Sequence, residues 1–94
     1  MVQDSTFQDS PQRRRFELTV GHETAWADYV REPGLLVIRH VYAPPPLRGT
    51  GASDRLMSQV AATARQEGRR IVPLCGYAGS WLRAHSAHRD LVAG

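Results

Sequence analysis

Lysine is missing from this chain, so all twelve of its basic residues are arginine. The formal net charge is +3. A surplus of this size is what solubility alone requires, and it does not single out a nucleic-acid partner. The arginines are scattered apart from Arg13-Arg14-Arg15 and Arg69-Arg70, and no aromatic residues interleave with them as a stacking platform needs. Disulfides are excluded within the chain because Cys75 is its one cysteine. That usage suits a reducing cytosol, and Cys75 is either a buried thiol or a working one. No apolar run approaches the roughly 20 residues that cross a bilayer, and the N-terminal residues are polar. A cytoplasmic protein without a membrane partner is expected. No spacing of His, Cys, Asp and Glu suggests a metal, and there are no internal repeats.

What is present fits one domain with a modest core. Residues 1–14 are polar and aperiodic and are expected as a disordered tail, with the domain over 15–94. Phe16, Leu18 and Val20 alternate with Arg15, Glu17 and Thr19, which predicts a half-buried strand. Ala25, Ala27 and Tyr29 share one face of a second strand within 24–31, with a helix as the weaker alternative. Residues 35–42 (LLVIRHVY) are apolar and β-branched, as in a central strand. Turns at Gly21-His22 and Glu32-Pro33-Gly34 make these three an antiparallel meander. Pro44-Pro45-Pro46 must stop the pairing.

A helix is expected from about Gly51 to Glu67, with Leu56, Val60 and Ala64 on its apolar stripe and Gly68 ending it. Residues 70–74 (RIVPL) predict a fourth strand, parallel to the third because a helix crosses over between them. Residues 79–86 predict a short helix, and Leu91 and Val92 a docked tail. The fold class is α+β: a mostly antiparallel sheet with one parallel strand pair, one long helix and one short one. Prolines near the ends of that pair predict that it splays and opens unpaired backbone to a ligand.

The segment Arg48-Gly49-Thr50-Gly51-Ala52-Ser53 lies between a strand and a helix start. Glycines there let backbone approach a ligand, and the helix end offers free N–H groups and partial positive charge. Phosphate is its natural guest.

This arrangement resembles the GCN5-related N-acetyltransferase superfamily, whose pyrophosphate loop reads Arg/Gln-x-x-Gly-x-Gly/Ala. Ser53 stands at the last position here. The chain is similar to the small single-domain branch of the N-acetyltransferase domain-containing protein 1 type. The shared features are Ala25-x-Ala27-x-Tyr29, His40 four residues before Pro44, Leu47-Arg48-Gly49-x-Gly51, Pro73-x-Cys75-x-Tyr77, and His85 followed by Asp90-Leu91. Val41 and the run His85-Ser86-Ala87-His88 depart from the branch pattern.

The resemblance implies a minimal acetyl-CoA-binding domain of the same fold. Arg48, Gly49, Thr50, Gly51, Ala52 and Ser53 would hold the pyrophosphate of CoA. Backbone of Val41, Tyr42 and Ala43 would pair with the pantetheine arm. Tyr77 would line the acetyl pocket or donate a proton to the leaving thiolate, or simply pack. Cys75 is the nucleophile candidate, with His40 or His85 beside it, against direct transfer or plain packing. His40 would be read either as the group that takes the amine's proton or as a core histidine facing Leu36, Ile38 and Tyr42. Trp26 and Trp81 are expected in the core. The implied partners are acetyl-CoA and an amine acceptor, and the chain is expected as a monomer or weak dimer. The alternatives are a CoA-binding module without turnover and a basic nucleic-acid-binding domain.

Overall fold

The computed structural model describes residues 5–93. Five strands form one sheet in chain order: β1 (Ser5–Ser10), β2 (Arg15–Val20), β3 (Glu23–Glu32), β4 (Leu35–Tyr42) and β5 (Arg70–Pro73). The first four are antiparallel neighbours, and β5 lies parallel to β4. Two helices, α1 (Ala52–Glu67) and α2 (Gly76–Ala84), complete the chain with 3-10 turns at Pro45–Leu47 and Ser86–Leu91. The α+β architecture with one parallel pair is therefore the one expected. Among the described residues no helix is long and apolar enough to cross a membrane.

The core forms where α1 covers one face of the sheet. Leu56, Met57, Val60, Ala61 and Ala64 are buried against Phe16, Leu18, Ala25, Ala27, Leu36 and Ile38. Each set follows from its own period, four along the helix and two along the strands. Gly68 ends α1 with φ 68°, and its N–H reaches the carbonyls of Ala64 and Arg65. The chain end docks as anticipated. Leu91 is buried, Val92 bridges Ile71, and the Ala93 N–H donates to Ile71 O at 2.8 Å.

The N-terminal expectation is corrected. Residues 1–4 lie outside the described residues, but Ser5–Ser10 is a strand in full register with β2 rather than a disordered tail. Its anchors come from distant parts of the chain. Phe7 stacks on Phe16 with ring centroids 5.7 Å apart. Asp9 accepts bonds from the Tyr29 hydroxyl and from Arg31 Nη2. Arg31 Nη2 also reaches Glu67 at 2.7 Å, so one guanidinium ties β1, β3 and the end of α1 together. Polar composition hides such contacts.

Glu17 also departs from simple alternation. It belongs to the polar face of β2 yet is only 6% exposed. Burial pushes its carboxyl up, but hydrogen bonds from Arg15 and Gln8 and the charges of Arg15 and Arg13 outweigh that, and the net shift is downward. Trp26 is the reverse case: it sits outside the core. It faces away from α1, against Tyr42 at 4.5 Å and under the Arg15 guanidinium at 4.3 Å.

Arg31 holds the Glu67 carboxyl far below its ordinary 4.5, at about 2, with Arg69 assisting against burial. A depressed acid contributes stability above its unfolded value, and the contribution is lost as pH falls through the folded value. The Tm should therefore fall between about pH 4.5 and about pH 2. Glu67→Gln should lower Tm at neutral pH and make that acid fall shallower. An unchanged acid profile in this variant would contradict the clamp.

Candidate functional site

The site begins where β4 and β5 part. Their register runs from Leu35–Arg70 to Ile38–Pro73, and the last bond across it is Leu74 N–H to Ile38 O at 2.9 Å. Arg70 N–H to Gly34 O and Leu74 N–H to Ile38 O mark the positions along β5 that face β4, and pairing stops after Leu74 because the chain turns at once into α2. β4 itself continues to Tyr42, so Arg39–Tyr42 have no β5 partner in the register.

A β-bulge lies at the same place. Tyr29 faces Ile38 and Asp28 faces His40, which leaves Arg39 as an extra residue on β4. An extra residue reverses the side-chain alternation beyond it. His40 is therefore exposed, on the face of Asp28 and Trp26, and not on the apolar face with Leu36 and Ile38. Tyr42 shares that outer face, stacked on Trp26, while Val41 and Ala43 pack against the core.

The glycine loop follows the prolines. Gly49 has φ 76° and Gly51 φ 85°, left-handed values that a side chain resists. A Cβ on Gly49 would meet nothing within 4 Å, so the loop is open on its outer side. Gly51 is the N-cap of α1 and supplies no side-chain cap. Thr50 Oγ1 accepts the Ala52 N–H at 3.3 Å. The N–H groups of Gly51, Ser53 and Asp54 find no partner among the described residues. Together with the dipole of a 16-residue helix they make the kind of surface that suits an anion.

Arg48 is committed elsewhere. Its Nε donates to Ala43 O at 2.8 Å and its guanidinium lies 5.8 Å from the Tyr42 ring centre. It clasps the end of β4 and so fixes where the loop starts.

Leu47, Arg48, Gly49, Gly51, Ser53, Asp54 and Tyr77 line a concavity of about 310 Å³. The loop and Tyr77, far apart in sequence, thus meet. Burial raises the Tyr77 phenol above its ordinary value, and the Asp54 charge adds to this. It is therefore a neutral O–H donor near pH 7. Cys75 is half-buried at the N-cap of α2 and packed on the core. Among the described residues no hydrogen bond joins it to a histidine. His85 instead places Nδ1 2.7 Å from Trp81 O and stacks on the Trp81 ring at 4.0 Å.

Asp54 is the residue that sequence reasoning missed. It accepts the Trp81 Nε1 hydrogen at 2.7 Å, and His85 Nε2 lies 3.5 Å away. The link fastens the start of α1 to α2 and draws the carboxylate toward donors. The i,i+4 spacing of Trp81 and His85 hinted at a shared face, but nothing local named Asp54 as their partner.

Residues 15–91, most of the chain, match the family model described as GCN5-related N-acetyl-transferase. The match starts at the first residue of β2 and ends in the docked tail. No curated protein matches the chain.

The left-handed Gly51 predicts a contrast between two glycines. Gly51→Ala should cost about 1 kcal/mol in chemical denaturation, because φ 85° strains a Cβ. Gly76→Ala should be neutral or stabilising, since its Cβ meets nothing and its φ is ordinary. Equal effects of the two would contradict the loop geometry.

Proposed function

The chain belongs to the GCN5-related N-acetyltransferase family, and we propose on that premise that it transfers acetyl from acetyl-CoA to an amine acceptor. The observation that supports this is the run of N–H groups at Gly51, Ser53 and Asp54 without partners among the described residues, in a loop tied to the end of β4 by Arg48 Nε donating to Ala43 O. The pyrophosphate of CoA takes the loop from Gly49 to Ser53, and Thr50 and Ala52 set its shape. Backbone from Val41 to Ala43 serves the pantetheine amides as a missing strand would. Arg48 positions this machinery without having to touch the ligand.

In the transfer the acceptor nitrogen bonds to the thioester carbonyl carbon, the C–S bond breaks, and the amine loses a proton. Most of the acceleration comes from holding thioester and amine together and from backbone donors at the carbonyl. His40, exposed just past the bulge, takes the proton from the amine. Tyr77, neutral at the loop pocket, donates to the leaving thiolate. Direct transfer is favoured over a Cys75 acyl-enzyme, because Cys75 packs on the core and both of its proposed histidines are placed elsewhere: His40 on the outer face, His85 on Asp54 and Trp81.

Ser53 offers the test. A carboxylate in the first turn of α1 suits the helix dipole, so Ser53→Glu should fold at least as stably as the parent. The same charge would meet the pyrophosphate. Calorimetry should show CoA affinity falling by about tenfold or more in Ser53→Glu and only slightly in Ser53→Gln. During turnover with an amine panel, mass spectrometry should find acetyl on the acceptor and none on Cys75. Unchanged CoA affinity in Ser53→Glu would remove the loop assignment, and an acetylated Cys75 would remove direct transfer.

A further inference from the structure

A second concavity, larger than the one at the glycine loop, opens on the outer face of the sheet. It measures about 450 Å³ and is lined by Arg13, Arg14, Asp28, Tyr29, Val30, Arg39 and His40. Two elements build it. The β1–β2 turn brings Arg13 and Arg14 from one side, and the β4 bulge brings Arg39 and His40 from the other.

Arg39 and His40 are the first residues of β4 past the last pair with β5. The basin therefore abuts the mouth of the cleft in which the thioester is proposed to lie.

We infer that this basin receives the acceptor and selects amines carried on acidic peptides, an inference that rests on the transferase reading above. Its charge points that way. Three guanidiniums face one carboxylate, Asp28. Arg13 is partly engaged, with Nη1 3.3 Å from Glu17. Arg14 and Arg39 pair with no carboxylate among the described residues. Elsewhere in the chain Arg15, Arg31, Arg65 and Arg69 hold acids, whereas Arg48, Arg55, Arg70, Arg83 and Arg89 pair with none among the described residues. What distinguishes Arg14 and Arg39 is that they line one hollow together.

The backbone supplies an independent observation. Arg14 has φ 54°, and among the described residues it is the one non-glycine in the left-handed region. Glycine would fill this turn position without strain. Its carbonyl accepts the Tyr29 N–H at 2.9 Å, so the turn is locked onto β3 with the arginine at the rim of the basin. A strained residue at a concave charged surface points to a task for its side chain. Planar guanidinium forks suit bidentate carboxylate recognition. A peptide is favoured over a nucleic acid because Tyr29 is buried, which leaves the His40 imidazole as the one exposed ring lining the basin, too few for a base-stacking platform.

The test uses a short peptide with a free N-terminal amine followed by Asp and Glu, and its Asn/Gln counterpart. Free glutamate and a single-stranded DNA oligonucleotide are the other probes. Calorimetry at low salt should show the acidic peptide binding about tenfold or more tightly than the counterpart, and weakening with added salt. Arg14→Gly relieves the strained φ and should keep or raise Tm while the acid preference falls about tenfold. Arg39→Gln should do the same to binding.

Equal binding of the two peptides, or a preference that survives both variants, would overturn the inference. Glutamate bound as tightly as the peptide, or the oligonucleotide bound more tightly, would overturn the choice of a peptide. CoA titrated separately keeps the two readings apart. CoA binding without acid preference sinks the specificity alone, whereas acid preference without CoA binding supports the acidic ligand and sinks the transferase.

Discussion

The proposed function of this molecule depends on the pairing of β4 with β5 ending early. Four residue pairs hold the two strands together, from Leu35–Arg70 to Ile38–Pro73. Beyond them β4 keeps its antiparallel bonds to β3 but has no strand neighbour on the other side among the described residues. Two local causes coincide there. The helix α2 begins within three residues of Pro73, and the bulge at Arg39 turns β4. The sheet is thereby complete enough to carry a core and incomplete where a ligand can act as the missing strand.

The glycine loop is set against that gap by ordinary backbone chemistry. Prolines end β4, Arg48 returns to clasp Ala43 O, and two left-handed glycines swing the chain into α1. The helix start then faces outward with its N–H groups free. Asp54 ties this start to α2 through Trp81 and His85, which also seats Tyr77 at the loop. Arginine does most of the joining elsewhere. Arg31 connects β1 to the end of α1, and Arg65 holds Asp90 in the C-terminal turn.

Much of this was legible in the sequence. The meander, the long helix, its terminating Gly68 and the parallel β5 all follow from local period and from glycine and proline chemistry. The loop followed from its place between strand and helix. What was not legible required knowledge of partners. Ser5–Ser10 reads as a polar tail because Phe16, Tyr29 and Arg31 supply its anchors. The face of His40 was misread because LLVIRHVY alternates plausibly, and only the register against Asp28 and Tyr29 shows the extra residue at Arg39. Trp26 seemed a core residue by type, but its period places it opposite Ala25 and Ala27.

The central claim is that one continuous surface, from the end of β4 through the glycine loop to Tyr77, holds acetyl-CoA. Backbone amide shifts followed by NMR while CoA is titrated test it most directly. The account predicts that the largest changes fall at Arg39–Tyr42, at Gly49–Asp54 and at Tyr77, with the Arg13–Arg14 turn little affected by CoA alone. Saturable CoA binding that leaves Gly49–Asp54 unmoved, or no binding at all, would contradict it.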